Sequence, residues 1–336
     1  MSDIIAIIGD GAMAIVCAGI LAGKGLAVSL WSAFEQNAET MRRTGRNERF
    51  LPGAQLPDGM KITTDPAEAF SDALIAVSAV PAQYTRTVWE RLKQHYPNDL
   101  PICSVTKGIE NKTLLRPSQI LADVLTGSPN NPLPVVALSG PSIAAELVEN
   151  LPATVVSASA DEKLAQKVQK LFTTDFFRIY TNTDIVGVEV AAATKNVIAI
   201  AAGVLDGLRA GDNAKAALLT RGLVEITRLG IAAGGRRETF SGLAGLGDLV
   251  TTCISPHGRN RSFGEAVGKG AKPEQVLAGT HSVVEGVATT QSVLELAKQK
   301  NVEMPITQAV HEVIFEDQPP QQAILDLMSR PLKAED

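Results

Sequence analysis

The stretch "VEVAAATKNVIAIAAGV" (188–204) places Lys195 and Asn196 among small and aliphatic residues that would otherwise form an ordinary buried helix. Removing an isolated charge from water costs on the order of several kcal/mol, so this lysine is paired, deprotonated or directed into a cavity that a ligand fills. In a ligand cavity, an ammonium can stabilise negative charge on a carbonyl oxygen and donate a proton to it. The alternative is a lysine that extends from a helix face to solvent.

A second set of polar residues lies in "FSGLAGLGDLVTTCISPHGRNRSFG" (240–264), where glycines precede Asp248 and where Gly258 precedes Arg259, Asn260 and Arg261. The arginine fork donates two hydrogen bonds to one phosphate in a fixed geometry. The segment therefore predicts a site for a small anion. A solvated glycine-rich connection is the alternative.

Two further segments follow apolar runs of strand length: "SVTKG" contains Lys107, and "ALSGPSIAAE" contains Gly140, Ser142 and Ala144. Ligands of open parallel sheets bind beyond the carboxyl ends of the strands. Lys107 could there offer a cation to a phosphate or carbonyl oxygen, and the glycine leaves room for a ring to approach. A surface lysine in a turn is the alternative.

The first segment, "IIAIIGDGAMA", has Gly9, Gly11 and Ala14 at the three positions of a G-x-G-x-x-G/A turn between a strand and a helix. Such a turn brings a pyrophosphate against a helix N-terminus and predicts an NAD or NADP site. A plain tight turn is the alternative.

The end of the second strand does not decide between the two coenzymes. In "LWSAFE", Ala33 offers nothing polar and Glu35 comes late for a ribose contact. Because no basic residue follows "LW", we expect NADH to be used at least as well as NADPH. The arginines at 42, 43, 46 and 49 are interpreted as surface charges.

These residues are positioned by alternating apolar runs of strand length and amphipathic helical stretches up to about residue 180, the pattern of a parallel sheet with helices on both faces. The predicted strands are 4–8, 26–31, 73–80, 101–105, 135–139, 153–159 and 176–180, and a helix is predicted over 161–172. Beyond "TNTD" (181–184) the pattern is helical, with Asp184 as a helix cap. We therefore expect an α/β fold, with a Rossmann-like domain over 1–184 and an all-α substrate-binding domain over 185–336.

Composition excludes several classes of protein. The 336 residues carry a net charge of −5 without a basic block, which argues against nucleic-acid binding. Three separated cysteines predict neither a disulfide framework nor a metal site and favour the cytoplasm. The first residues lack the pattern of an export signal, and no window gives 18 uninterrupted apolar residues, so no membrane span is expected.

Taken together, six segments in order ("SGPSIAAE", "TKNVIAIAAGV", "GDNAKAALLTRGLVE", "LAGLGDLVTTC", "GRNRSFG" and "VVEGVATT") resemble the NAD(P)-dependent glycerol-3-phosphate dehydrogenase family of the soluble bacterial type, from about residue 4 to 330. The resemblance implies reduction of dihydroxyacetone phosphate to sn-glycerol 3-phosphate, a phospholipid precursor, and a homodimer. It implies that Lys195 is the catalytic acid/base. The implied substrate contacts are Lys107, Gly140, Ser142, Lys195, Asp248, Gly258, Arg259 and Asn260. The implied coenzyme contacts beyond the glycine turn are Ala12, Met13, Lys107, Ala144, Arg259, Val283 and Glu285.

The chain departs from the family pattern at several positions. Gly258 stands where the family usually has a serine, so one hydroxyl contact is missing or comes from the backbone, and Ile143 replaces the usual aromatic residue after "GPS". A dehydrogenase of the 6-phosphogluconate and hydroxyacid type is the alternative enzyme, since it also has a lysine on the first interdomain helix. A protein that binds the coenzyme without turnover is a third possibility.

Overall fold

The computed structural model describes residues 4–280, 282–332 and 334–335, and in these the N-terminal half forms an eight-stranded sheet in the order β3-β2-β1-β4-β5-β6-β7-β8. The strands are β1 (Ile4–Ile8), β2 (Ala27–Trp31), β3 (Lys61–Thr63), β4 (Ala73–Ser78), β5 (Ile102–Ser104), β6 (Val135–Ser139), β7 (Ala153–Ala158) and β8 (Phe177–Asn182). The central strands β1, β5 and β6 are nearly continuous apolar runs buried on both faces, as the sequence predicts for a doubly wound sheet, whereas alternate residues of the edge strand β8 are exposed. The parallel-dominated sheet followed by a helical domain confirms the predicted fold class.

Two features of the sheet depart from the sequence prediction. The three-residue edge strand β3 was not predicted, because "KIT" is too short and too polar to show a strand pattern. β7 runs antiparallel to β6. The residues between them, 140–152, contain only a five-residue helix, which does not provide the long crossover that a parallel return requires.

Helices cover both faces of the sheet and bury two separate apolar cores against it. They are α1 (Ala12–Gly23), α2 (Glu35–Thr44), α3 (Pro66–Ala69), α4 (Ala82–Leu92), α5 (Pro117–Thr126), α6 (Ala144–Val148) and α7 (Glu162–Phe172), with a short 3₁₀ turn at Lys93–His95. β1 is buried between the cores, with Ile5 and Ile7 facing one core and Ala6 and Ile8 facing the other. This alternation holds the carboxyl end of β1, and the glycine turn after it, in a fixed place.

The C-terminal half is helical in the described residues. Its helices are α8 (Ile185–Gly207), α9 (Asp212–Ala232), α10 (Arg237–Phe240), α11 (Asp248–Ile254), α12 (Arg259–Gly268), α13 (Pro273–Ala278), α14 (Glu285–Gln299), α15 (Pro305–Phe315) and α16 (Pro320–Met328), with a π-helical turn at Leu243–Gly247. α8 is the central helix, and α9, α11, α12, α14 and α15 all pack against it.

The start of α8 is fixed by the predicted cap. The Asp184 carboxylate accepts a hydrogen bond from the Gly187 backbone N–H at 2.8 Å and another from the Thr239 hydroxyl at 2.7 Å. α8 is long and apolar enough to span a membrane by composition, but 83% of its most apolar 18-residue window is buried inside the protein. It is a core helix, and Lys195 lies in its middle.

Candidate active site

Lys195 is held in the interior of the helical half, with 5% of its surface exposed. Its Nζ lies 2.8 Å from Asp248 Oδ1 and donates to Thr252 Oγ1 at 2.5 Å. The ammonium is thus paired, which answers how the sequence accommodates a charge in an apolar helix. The polar groups that surround it come from α11, which packs against α8.

Lys107 approaches the same carboxylate from the sheet. Its Nζ lies 2.7 Å from Asp248 Oδ2 and also donates to Gly140 O at 3.0 Å and to Ser142 Oγ at 3.3 Å. Asp248, only 2% exposed, therefore bridges two ammonium groups, one from each half of the chain. The structure brings five of the predicted substrate residues into one cluster: Lys107, Gly140, Ser142, Lys195 and Asp248.

Gly140 has to be glycine for this cluster to form. Its φ is +139°, and a Cβ built there would lie 2.9 Å from the Val155 Cα. A side chain would therefore be strained in conformation and would also displace β7. The bare backbone turns its carbonyl toward Lys107 at the carboxyl edge of the sheet.

Burial and the neighbouring charges together set the pKa values of Lys195 and Asp248. Burial lowers the pKa of Lys195 to about 8, Lys107 acts in the same direction, and the attraction of Asp248 limits the decrease. Burial alone would raise the pKa of Asp248, but the attraction of Lys107 and Lys195 outweighs it, so this pKa lies below its ordinary value. Asp248 is therefore ionised near neutral pH, whereas Lys195 can release or take up a proton there.

Thr252 was missed by the sequence prediction. It lies one helical turn after Asp248 on α11, and its hydroxyl both accepts from Lys195 Nζ at 2.5 Å and donates to Asp248 Oδ1 at 3.2 Å. The i, i+4 spacing of "DLVTT" could have indicated it, because residues four apart lie on the same face of a helix. Thr252 fixes the direction in which the ammonium points.

The Asn260 side chain is engaged inside the protein. Its Nδ2 donates to Asn196 Oδ1 at 3.0 Å, and its Oδ1 accepts from the Gly286 backbone N–H at 2.9 Å. Asn196 in turn donates to Lys107 O at 3.2 Å. This chain of amides ties α12 and α14 to the lysine cluster. Any substrate contact of Asn260 is therefore expected from its backbone.

Three predicted coenzyme contacts, Arg259, Val283 and Glu285, lie next to these hydrogen-bonded amides. The exposed Arg259 donates from Nη1 to Val283 O at 2.9 Å. The Glu285 Oε1 accepts from the Ala82 backbone N–H at 3.0 Å, which links α14 to the start of α4 in the sheet half. Burial raises the pKa of Glu285, and Arg259 opposes that rise. The arrangement joins the helical half to a loop at the carboxyl end of β4.

The glycine turn has the shape that a dinucleotide requires. Gly9 has φ +112°, and a Cβ there would lie 2.7 Å from Ala79 O, whereas a Cβ at Gly11 would meet nothing within 4 Å. Gly11 caps α1 without any side-chain hydrogen bond from the described residues, and no acidic residue lies in the first turn of α1. The amides at this N-terminus are therefore free to bind a pyrophosphate.

The remaining predicted coenzyme residues line the same region. Ala14 is buried in the core between α1 and the sheet, and Ala12, Met13 and Ala144 pack at the margin of that core. Ala144 begins α6, which contacts α1. The site residues thus fall into a cradle at the start of α1 and a charged cluster at the junction of the two halves.

A doubly wound sheet with a glycine turn at a helix N-terminus, followed by a helical domain that contributes a buried lysine, defines the class of two-domain NAD(P)-dependent dehydrogenases. Comparison with known proteins gives the family. The N-terminal part of the family described as NAD-dependent glycerol-3-phosphate dehydrogenase matches residues 4–165, and its C-terminal part matches residues 184–325. The chain belongs to this family.

Individual relatives agree along the whole chain. A glycerol-3-phosphate dehydrogenase (NAD(P)+) of Chlorobium limicola is 47% identical over 98% of this chain and 99% of its own, and one of Geobacter sulfurreducens is 46% identical over 100% and 99%. The crystal structure of glycerol-3-phosphate dehydrogenase from Coxiella burnetii superimposes with a TM-score of 0.93 at 37% identity, covering 98% of this chain and 99% of that one. A ketopantoate reductase from Ralstonia eutropha, at 14% identity and a TM-score of 0.62, shares the fold alone.

Proposed function

We propose that Lys195 protonates the substrate oxygen when this chain reduces dihydroxyacetone phosphate to sn-glycerol 3-phosphate with NAD(P)H. The observation that carries the proposal is the buried Lys195 ammonium, held 2.8 Å from an Asp248 carboxylate that also binds Lys107. A nicotinamide coenzyme held at the glycine turn would supply the hydride for the carbonyl carbon. The protein has to supply the proton and to stabilise the charge that grows on oxygen.

The pair of lysines suits this task. A substrate carbonyl placed beside Lys195 and Lys107 meets two cations, and negative charge on its oxygen is stabilised in a site that excludes most water. Lys195 then transfers a proton to that oxygen and is left as the neutral amine, which its lowered pKa of about 8 makes accessible. In the oxidation of glycerol 3-phosphate the amine accepts the same proton.

Asp248 and Thr252 are assigned to positioning. Asp248 keeps the two ammonium groups together, and Thr252 holds the Lys195 Nζ from the side of α11. The ion pair also keeps the positive charge on Lys195 in spite of burial. When Lys195 gives up its proton, the remaining Lys107 ammonium still balances the Asp248 carboxylate.

The substrate phosphate is assigned to the start of α12. Gly258 caps this ten-residue helix without a side-chain hydrogen bond from the described residues, and no acidic residue lies in its first turn. The free amides and the Arg259 guanidinium are suited to a phosphate dianion. A direct test of the substrate is to follow NADH consumption with dihydroxyacetone phosphate against a panel of other phosphorylated ketones and keto acids, and to follow NAD(P)+ reduction with glycerol 3-phosphate against 6-phosphogluconate. Equal or faster turnover of a panel member would contradict dihydroxyacetone phosphate as the substrate.

We further propose a boundary between domains at 184/185, a homodimer and a cytoplasmic location. The boundary is supported by β8 ending at Asn182 and α8 beginning at Ile185. The dimer rests on the family resemblance and the location on the reduced, buried cysteines Cys17, Cys103 and Cys253. Light scattering of the purified chain tests the dimer, and a monomer at micromolar concentration would contradict it.

A further inference from the structure

The residue between the two glycines of the coenzyme turn is an aspartate, and its carboxylate extends toward the next strand. Asp10 Oδ2 accepts a hydrogen bond from Ser32 Oγ at 2.7 Å and another from Asn37 Nδ2 at 3.1 Å. Ser32 directly follows β2, and Asn37 lies in the first turn of α2. The carboxylate thus bridges the carboxyl ends of β1 and β2.

The Asp10 backbone is fixed as well. Asn47, which is buried, donates from Nδ2 to Asp10 O at 2.5 Å. The Asp10 side chain is only half-buried, and its second oxygen, Oδ1, has no hydrogen-bond partner in the part of the chain that the structure describes. An oriented carboxylate therefore presents one unused acceptor at the edge of the sheet.

Through Ser32 the carboxylate lies beside the end of β2, where doubly wound folds in general bind the adenosine ribose of a dinucleotide. In doubly wound folds an acidic residue at the end of the second strand accepts a hydrogen bond from the ribose 2′-hydroxyl, and a cation there accommodates a 2′-phosphate. At the end of β2 this chain has Ser32 and Ala33 instead of an acid. Asp10 supplies the missing carboxylate from the neighbouring turn.

We propose that Asp10 makes the coenzyme site selective for NAD(H) over NADP(H), by accepting a hydrogen bond from the 2′-hydroxyl and repelling a 2′-phosphate. The proposal rests on the proposed function to the extent that the dehydrogenase needs a nicotinamide coenzyme. A 2′-phosphate would stand next to a carboxylate that Ser32 and Asn37 hold in place. The negative charges of the carboxylate and of the phosphate would repel each other and weaken the binding of NADP(H).

Two cations lie near the end of β2. Arg42 pairs with Glu35 at 2.7 Å and donates to Ile62 O at 3.0 Å, on the β3 side of β2. Arg91 stacks on the Trp31 ring, 5.2 Å from its centre, and donates to Ala33 O at 3.4 Å, so it is the cation that a 2′-phosphate at this place would meet beside Asp10. The rival carboxylate is Glu35, but its oxygens accept from Arg42 and from Thr64 Oγ1. Asp10 is thus the better candidate for the ribose.

The test is a fluorescence titration of the full chain with NADH and with NADPH, without any substrate, for the wild type, Asp10→Asn, Asp10→Ser and Glu35→Gln. Asn keeps an oxygen for Ser32 and Asn37 while removing the charge, and Ser serves if the first variant does not fold. We expect the wild type to bind NADH at least tenfold more tightly than NADPH. Either Asp10 variant should reduce that ratio at least tenfold, and Glu35→Gln should change it less than threefold.

A wild type that prefers NADPH, or folded Asp10 variants that keep the ratio within threefold, would overturn the proposal. So would a ratio that moves only in Glu35→Gln. The binding titration is independent of turnover. A shifted ratio in a chain that does not reduce dihydroxyacetone phosphate would contradict the proposed reaction alone, whereas turnover with an unshifted ratio would contradict the Asp10 assignment alone.

Discussion

Replacement of Lys195 by methionine tests the proposed mechanism most directly. Methionine fills a similar length of the cavity but can neither donate a proton nor carry a charge. In Lys195→Met, Asp248 keeps Lys107 as a partner at 2.7 Å and Thr252 keeps its bond to Asp248, so the cluster is not left as an isolated buried charge. The fold should therefore survive.

The expected loss follows from the two tasks assigned to the ammonium. A positioned proton donor contributes about 10²- to 10⁴-fold in rate, and a donor aimed at a developing oxyanion contributes about 10²- to 10³-fold. Because Lys107 stays in place to stabilise part of the oxyanion charge, the two factors will not multiply fully. We expect kcat to fall by about 10²- to 10⁴-fold, equivalent to about 3 to 5.5 kcal/mol of transition-state stabilisation.

The assay is kcat for dihydroxyacetone phosphate reduction, together with a separate NADH titration and a melting curve. Lys24→Met is a matched control, since its ammonium donates to Lys170 O and Thr173 O at the opposite edge of the sheet. The control should keep wild-type turnover. If Lys195→Met bound NADH normally and turned over within tenfold of the wild type, Lys195 would not be the proton donor.

Three more outcomes are expected. With the pKa of Lys195 at about 8, kcat/KM for reduction should fall as pH rises through about 8, because reduction needs the ammonium, while kcat/KM for glycerol 3-phosphate oxidation should rise over the same range, because oxidation needs the amine. Arg259→Lys should lower kcat/KM for dihydroxyacetone phosphate by tenfold or more, because the fork that contacts Val283 O and is assigned to the phosphate is lost while the charge stays. Burial raises the pKa of Glu225 to about 7, above its unfolded value. Its contribution to stability is therefore complete below about pH 4.5 and is lost as pH rises through about 7. Glu225→Gln should remove this decline, which amounts to about 3 kcal/mol in the free energy of unfolding.

Each of these has a clear contrary result. If kcat/KM for reduction stayed constant from pH 6.5 to 9.5, Lys195 would not be the proton donor. An unchanged kcat/KM in Arg259→Lys would show that the Arg259 fork does not bind the substrate phosphate. For Glu225, the measurement is chemical denaturation at pH 4.5 and pH 7.5 in both chains, and an equal pH dependence in the two would show that the carboxyl group is ionised in the folded protein throughout.

The sheet was largely predictable because its strands are nearly continuous apolar runs, a signal that depends on burial from both faces. The same dependence explains the omissions. β3 is an edge strand whose Lys61 is exposed, so no apolar run marks it. The antiparallel pairing of β7 with β6 was not predictable, because both strands are short apolar runs and their relative direction depends on the path of the connection between them.

The lysine cluster was predictable residue by residue but not as an arrangement. A charge in an apolar helix marks Lys195, yet its partner Asp248 is far along the chain, and the bond from Lys107 to Asp248 joins residues 141 positions apart. No local pattern encodes such a distance. Thr252 was missed because threonine is common on helices and its i, i+4 relation to Asp248 gains meaning only once the ammonium is placed between them.

The hydrogen bonds of Asn260 limit how it could make the substrate contact that the resemblance implies. The resemblance implies a substrate contact, but both ends of the side chain are bonded to Asn196 and Gly286, so that side chain cannot turn to a phosphate without opening the junction of α8, α12 and α14. The backbone N–H of Asn260 lies in the first turn of α12, among the amides that have no acceptor within their own helix. Gly258 fits the same account, because a cap without a side chain leaves those amides uncovered. A Cβ there would also approach Thr252 O to 3.1 Å, so restoring the serine of the family requires the end of α11 to shift. In this chain, then, the phosphate site is expected to depend on helix amides and one arginine fork, and its affinity should respond to Arg259 far more than to the hydroxyl that Gly258 lacks.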